Sequence, residues 1–512
     1  MRATTVCAAL TLCWSIGAAH PFGLHDVSRS QKPVGGTTLE PPSLPRPSVR
    51  QHAKNADICV AGTRQYTGSV PVSPEKDLFF WFFESRNDPA NSPVIVWLNG
   101  GPGGSSMFGL FEEIGPCQTN EHFNGTVFNK HSWTEFANVV FIDQPAGVGF
   151  STFKKGHDGG PDNLLEAAQD FSQFLTVFFH EIFPEAADND FHIAGESFAG
   201  RYIPGFTHYI NQRQQLGGDA GTRRAVPPIQ SIILVDAVVD AFGFYISGHY
   251  DHFCGVDKNG KKRMPENGFN ETACDSLEKE IPECERLATL CGSTYDPVVC
   301  ETAVSYCDDK VGKWFNGDVY PGGRDPYDDR KKCGDNPPIC EPFNGTSSYA
   351  GYLNSPHVKE ELGFSDDFVY AGINDDISKR WEKSREAWVP TTRELTSILD
   401  TTPTRVLVLN GNNDIGVNTE AQNRIYDRLP WSRQAAFRSH EYTNWQWPDE
   451  SGKPIKGGKI KTADDLEVKN KLAFVSVDEA GHASVGDQQE ALTWLIKCWT
   501  DAKHQKDERC PL

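Results

Sequence analysis

The chain has 512 residues, 38% of them hydrophobic, and a formal net charge of −20 at pH 7. That length and apolar fraction suffice to bury a large core. The acidic balance excludes nucleic acid as a partner, because a phosphate backbone is bound by clustered Lys and Arg, and it suits work at acid to neutral pH.

Residues 1–19 read as a signal peptide, with Arg2, an apolar run from Ala3 to Ile16, and Gly17-Ala18-Ala19 before the cut. The run is too short to span a bilayer, and no lipid-anchor signal closes the chain, so secretion without a membrane anchor is expected, with an acidic compartment such as a vacuole left open. Residues 20–55, with Pro21, Pro33, Pro41, Pro42, Pro45 and Pro47, read as an extended leader or propeptide and not a folded unit.

The globular part starts near Asp57-Ile58-Cys59-Val60. Short apolar runs recur at Val94–Leu98, Val139–Ile142, Phe191–Ala194, Ile232–Val235, Val406–Leu409 and Leu472–Val477. Such runs fit strands buried on both faces. Helical patterns lie between them, at Asn163–Ile182 with Asp162 as N-cap, at Phe198–Gln212, and at Gln488–Ala502. The alternation predicts an α/β fold with a mainly parallel central sheet flanked by helices, whose site forms at the carboxyl ends of the strands.

That regularity breaks between 241 and 355, which reads as a cysteine-rich cap inserted between a first core part, 56–240, and a second, 356–504. Residues 505–512 read as a polar C-terminal tail. Cys7 and Cys13 leave with the signal peptide; the other twelve of the 14 cysteines predict up to six disulfides in an oxidising compartment. No Cys-x-x-Cys pair occurs, so no zinc site is expected, and nothing in the sequence calls for a metal or other cofactor. Glycosylation sequons stand at Asn124, Asn270 and Asn344, no more than chance supplies, and secretion makes them usable.

The stretch Phe191-His-Ile-Ala-Gly-Glu-Ser197-Phe-Ala-Gly carries the chemistry. A strand stops at Gly195, a helical pattern starts at Phe198, and Ser197 sits at the apex between them. Small residues at Gly195 and Ala199 let the turn be sharp enough to expose the hydroxyl. The bland alternative is a Gly-Ser turn between a buried strand and a helix. Serine is a poor nucleophile alone, so it needs a base and an acid. Asp414 follows the strand Arg405–Leu409 and the turn Asn410-Gly411, and His482 follows the strand Phe474–Val477. Alone, Asp414 reads as a turn aspartate binding its own backbone and His482 as a structural loop histidine, and His192, inside a strand, reads as packed. In the order Ser197, Asp414, His482, each after a strand, they match the triad order of the α/β-hydrolase fold. The glycines after Val94–Leu98 offer an oxyanion hole from the Gly101 and Phe198 amides. A phosphate cradle is excluded there, because the Gly-Lys-Ser/Thr ending is missing.

The strings Trp97-Leu-Asn-Gly-Gly-Pro-Gly-Gly-Ser-Ser106, Asp143-Gln-Pro-Ala-Gly-Val-Gly-Phe-Ser151 and Gly195-Glu-Ser-Phe-Ala-Gly200 resemble the serine carboxypeptidases, most closely the secreted fungal branch, from about 60 to 500. The resemblance implies an exopeptidase acting on peptides or proteins with a free C-terminus. It further implies that Asn99, Glu113 and Glu196, supported by Trp97, bind the terminal carboxylate. It also implies the disulfides Cys284–Cys307 and Cys291–Cys300, nested, with Cys254–Cys274 and Cys333–Cys340 beside them; it leaves Cys59, Cys117, Cys498 and Cys510 without partners. Two departures stand out. Asp236-Ala237-Val238 replaces the family's Gly-Asn-Gly, and Ala483-Ser484-Val485 replaces Met-Val-Pro after the histidine. Phe108 and Glu112 stand where pocket walls are expected, and an acidic wall there would favour basic side chains. Two rival readings stay open: an acyltransferase or lyase on the same fold, against which Asn99, Glu113 and Glu196 argue, and a catalytically silent secreted binding protein, against which the triad argues.

Overall fold

The six apolar runs become the centre of a twelve-stranded sheet. The computed structural model describes residues 44–154, 160–216, 226–243, 250–255, 271–314, 324–332, 348–449, 451–465, 468–500 and 509–512. The signal segment, most of the leader, Cys333, Cys340, Asn270 and Asn344 lie outside those residues.

Eleven strands form the sheet's main path: β1 (Ser48–His52), β2 (Gln65–Pro71), β3 (Lys76–Phe83), β4 (Val94–Leu98), β5 (Asn138–Ile142), β6 (Phe191–Glu196), β7 (Ile229–Val235), β8 (Arg405–Gly411), β9 (Thr443–Pro448), β10 (Pro454–Ala463) and β11 (Leu472–Val477). Their spatial order is β1-β2-β3-β5-β4-β6-β7-β8-β11-β10-β9, and the short strand Thr152–Phe153 pairs with β3. The central strands from β5 to β11 run parallel. Both margins are antiparallel.

The side-chain period of two sends alternate residues to opposite faces. On one face Val94, Val96, Leu98, Ile193, Leu234 and Val408 pack under α1 (Leu164–Val177) and α2 (Ala199–Gln215). On the other, Ile95, Trp97, Ile233, Leu409 and Val475 pack with the C-terminal helix Gln489–Thr500. The N-cap of α1 is Asn163, not Asp162: Asn163 has the extended backbone a cap needs, and its Oδ1 accepts from Glu166 N at 2.9 Å. Asp162 Oδ1 accepts instead from Asn163 Nδ2.

Residues 48–52, assigned above to the leader, form edge strand β1, paired from Ser48↔Ser69 to His52↔Gln65. Their polar sequence hid them, because an edge strand needs no apolar run. The inserted segment is largely helical where described, with Glu271–Thr294 and Pro297–Lys310 bridged by Cys284–Cys307 and Cys291–Cys300, and with Cys254–Cys274 nearby. Its small core is largely these cysteines, Phe242, Ala303 and Val304, so covalent links replace burial there. Two further bonds pair the unassigned cysteines, Cys59 with Cys117 and Cys498 with Cys510. The last described residues, 509–512, are therefore tethered to the C-terminal helix and do not form a loose tail.

Candidate active site

Ser197 stands between β6 and α2 with φ at +61°, the left-handed region that a non-glycine residue rarely occupies. Its backbone is sewn to the end of β7: Ser197 N donates to Val235 O at 3.0 Å, and Val238 N donates to Ser197 O at 2.8 Å. The strained turn is thus held from outside.

Asp414 and His482 meet although they lie 68 positions apart: His482 Nδ1 is 2.6 Å from Asp414 Oδ2. The other carboxylate oxygen, Oδ1, accepts from Val417 N at 2.9 Å, and the Asp414 side chain is fully buried. Burial alone would depress the imidazole. The Asp414 charge and hydrogen bond, with Asp236 and Glu113 adding to them, lift it instead to about 8. Ser197 Oγ makes no hydrogen bond to His482 among the described residues; such contacts are often long until substrate arrives.

The glycine-rich loop after β4 lies against the elbow. A Cβ on Gly100 would fall 2.3 Å from Phe198 N, so only glycine lets the two segments approach this closely. Neither the Gly101 nor the Phe198 amide has a hydrogen-bond acceptor among the described residues, which leaves both N–H groups for an oxyanion.

Asn99, Glu113, Glu196 and Trp97 come together under the elbow. Trp97 Nε1 and Gly109 N both donate to Asn99 Oδ1, at 2.8 and 3.0 Å. That fixes the carboxamide so that Nδ2 points to Glu196 Oε1 at 3.5 Å. A Cβ on Gly109 would lie 2.0 Å from Trp97 Nε1, so glycine is required at this crossing. Glu113 ends the short helix Gly109–Glu113 and lies fully buried, close enough to Glu196 for its charge to act on that carboxyl. Both Glu113 oxygens and Glu196 Oε2 are buried without a hydrogen-bond partner among the described residues. Burial raises Glu113 above the usual carboxylate range, and burial with the Glu113 charge raises Glu196 well above it.

A family model described as serine carboxypeptidase matches residues 57–502. The chain belongs to the serine carboxypeptidase family. Carboxypeptidase Y homolog A of Fusarium vanettenii is 32% identical over 452 residues, covering 87% of this chain and 76% of the relative. Carboxypeptidase Y homolog A of Aspergillus niger is 31% identical over 439 residues, covering 86% and 72%. In fold, the chain is similar to the crystal structure of Kex1(delta)p, a prohormone-processing carboxypeptidase from Saccharomyces cerevisiae, with TM-score 0.65, 22% identity, and 85% of this chain and 91% of that chain covered. The protein is a serine-type carboxypeptidase on the α/β-hydrolase fold.

Three side chains of the carboxypeptidase beside the site drew no role from sequence. Tyr327, in the hairpin Arg324–Lys332 of the insertion, lies with its ring 4.9 Å from the His482 ring, and its carbonyl accepts from His482 N at 2.7 Å. An irregular segment gives no periodic signal, so nothing marked it. Asp143, inside a quoted motif, accepts from Ser105 Oγ, Ser106 N and Phe150 N at 2.6, 3.0 and 2.8 Å and so braces the glycine loop. Asp236, noted only as a departure, lies buried near both Asp414 and His482.

Of the expected pocket walls, Phe108 is half-buried with its ring edge-on to Tyr349, and Glu112 is exposed and accepts from Thr119 Oγ1 at 3.2 Å. Asn124 is exposed. No helix is long and apolar enough to cross a membrane, and no group of metal-binding side chains occurs, among the described residues.

Proposed function

We propose that this carboxypeptidase removes the C-terminal residue of peptides and proteins through an acyl-enzyme on Ser197, and works best at acid pH. His482 takes the Ser197 proton as the hydroxyl oxygen attacks the last peptide carbonyl. Asp414 fixes the imidazole tautomer and steadies its cation. The Gly101 and Phe198 amides carry the oxyanion. The imidazolium then protonates the leaving amine, the terminal amino acid departs, and water repeats the sequence on the ester.

The observation that carries the reading is the buried Glu113–Glu196 contact directly beside the elbow. Two close carboxyls cannot both ionise cheaply, so one keeps a proton to donate to the substrate's carboxylate, while Asn99 Nδ2 donates a second hydrogen bond. Trp97 supports the site by orienting Asn99. Rising pH strips the shared proton and leaves like charges facing the substrate. As pH falls, Glu113 and Asp236 take up protons and their share of the pull on the His482 imidazole fades, while the larger share, from Asp414, remains.

The five disulfides among the described residues support synthesis along an oxidising, secretory route, with Asn124 accessible for glycosylation. The test is digestion of a peptide library at several pH values, with C-terminally amidated copies as controls. Stepwise release of terminal residues from free-acid peptides only, fastest at acid pH, supports the reading. Equal cleavage of amidated peptides overturns it.

A further inference from the structure

The two departures from the family pattern beside the site touch one another. Asp236, at the end of β7, accepts from Ser484 Oγ at 2.5 Å through Oδ2 and from Gly411 N at 2.7 Å through Oδ1. Gly411 opens the turn that carries Asp414, and Ser484 lies two residues beyond His482. The residue itself is pinned: it is fully buried, φ is +42°, and its N–H donates to Leu409 O at 2.8 Å. The same four-residue stretch holds the nucleophile's backbone through Val235 O and Val238 N. One segment therefore reaches all three parts of the triad, and the Asp236 side chain spans the two that must stay 2.6 Å apart.

We infer that Asp236 is a positioning residue that, with Ser484 as its dedicated partner, locks the acid turn to the base turn and keeps Asp414 and His482 in register. The inference rests on the reading of Asp414 and His482 as acid and base. Asp414, His482 and Glu196 are the charged groups that face Asp236, from the β8 turn, the β11 turn and β6. Either protonation state of Asp236 serves the lock, because a carboxylate accepts from the Ser484 hydroxyl and a carboxylic acid donates to it.

The experiment measures kcat and KM on a free-acid dipeptide substrate, with thermal melts, for Asp236→Ala, Asp236→Asn, Ser484→Ala, the Asp236→Ala/Ser484→Ala pair and His482→Ala. A misaligned triad costs rate and not affinity, so Asp236→Ala is expected to lower kcat about 10- to 100-fold with KM nearly unchanged. Loss of one hydrogen bond in Ser484→Ala is expected to cost about three- to tenfold. The double variant is expected to be no slower than Asp236→Ala alone, since both remove one link. Asp236→Asn keeps an acceptor for Gly411 N and a donor for Ser484 Oγ, and is expected to retain kcat within about threefold. If Asp236→Ala fails to fold, the Asn variant and Ser484→Ala still decide. Normal kcat in Ser484→Ala, independent losses in the double variant, or an Asn variant losing more than tenfold overturns the lock. An active His482→Ala overturns the triad reading itself, which separates the two failures.

Discussion

The carboxyl groups of Glu113 and Glu196 lie buried within reach of each other's charge, one from a short helix after β4 and the other from the last position of β6. Both are held above the ordinary carboxylate range, so the pair keeps a proton at acid pH and gives it up as pH rises. KM for free-acid peptides is therefore expected to rise above the pair's transition, by up to about tenfold per pH unit for one proton. Ester substrates without a free acid are expected to be less affected. Glu196→Gln carries an amide donor at every pH, so its KM profile is expected to flatten. A flat wild-type profile from acid to mildly alkaline pH would refute the shared proton.

Ser197→Ala removes the hydroxyl proposed as nucleophile without touching the backbone bonds that hold the elbow. Turnover is expected to fall by about 10⁴- to 10⁶-fold while the melting temperature stays near the parent's. Labelling by a serine-directed fluorophosphonate is expected to vanish in parallel. Persistent labelling would place the nucleophile elsewhere.

Asp143 receives three donors, and an amide in its place must turn one N–H toward another. Asp143→Asn is expected to lose about 1–3 kcal/mol, read by denaturant unfolding. Burial raises the Asp143 carboxyl to about 6. The folded state thus holds that proton more tightly than the unfolded chain. This contribution to stability is complete below the ordinary carboxylate range and is lost as pH climbs through about 6. The gap between parent and variant is accordingly expected to be widest at acid pH, to narrow as pH rises to about 6, and to change little above it. An unchanging gap would sink the assignment.

Cys59 and Cys117 close a loop of 58 residues that contains β2 to β4 and the glycine-rich loop. The chain-entropy model assigns such a link about 4 kcal/mol. Replacing both with Ala is expected to lower the unfolding midpoint in denaturant by a matching amount, with kcat/KM nearly intact in the surviving folded fraction. Equal stability of the two proteins would show that the loop is fixed by packing alone.

The core of this fold was legible because parallel strands buried on both faces read as unbroken Val and Ile runs, and β4 to β8 with β11 did. The margins were not. β2 mixes Gln, Thr, Gly and Ser, and β10 carries Lys456, Lys459 and Lys461 beside three glycine and alanine positions. Such strands need only one dry face, so no run forms. The Asp414–His482 contact and the turn at Ser197 were legible through strand context and order. The Glu113–Glu196 pair came only through likeness to a family, because nothing local announces that residues 83 positions apart will lie together in the interior. The Asp236–Ser484 bond spans 248 positions and joins two unusual residues that looked unrelated until the strands set them side by side.

Ser48–His52 completes one margin of the sheet, with His52 Nε2 2.7 Å from Thr67 Oγ1 and Arg50 donating to the Glu360 and Glu361 carbonyls. A maturing protease that trims from the amino end would meet main chain already paired at Ser48, where an extended substrate conformation can no longer be offered to its cleft. Processing should therefore stall upstream of that serine, and N-terminal sequencing of the mature enzyme should find those five residues still attached.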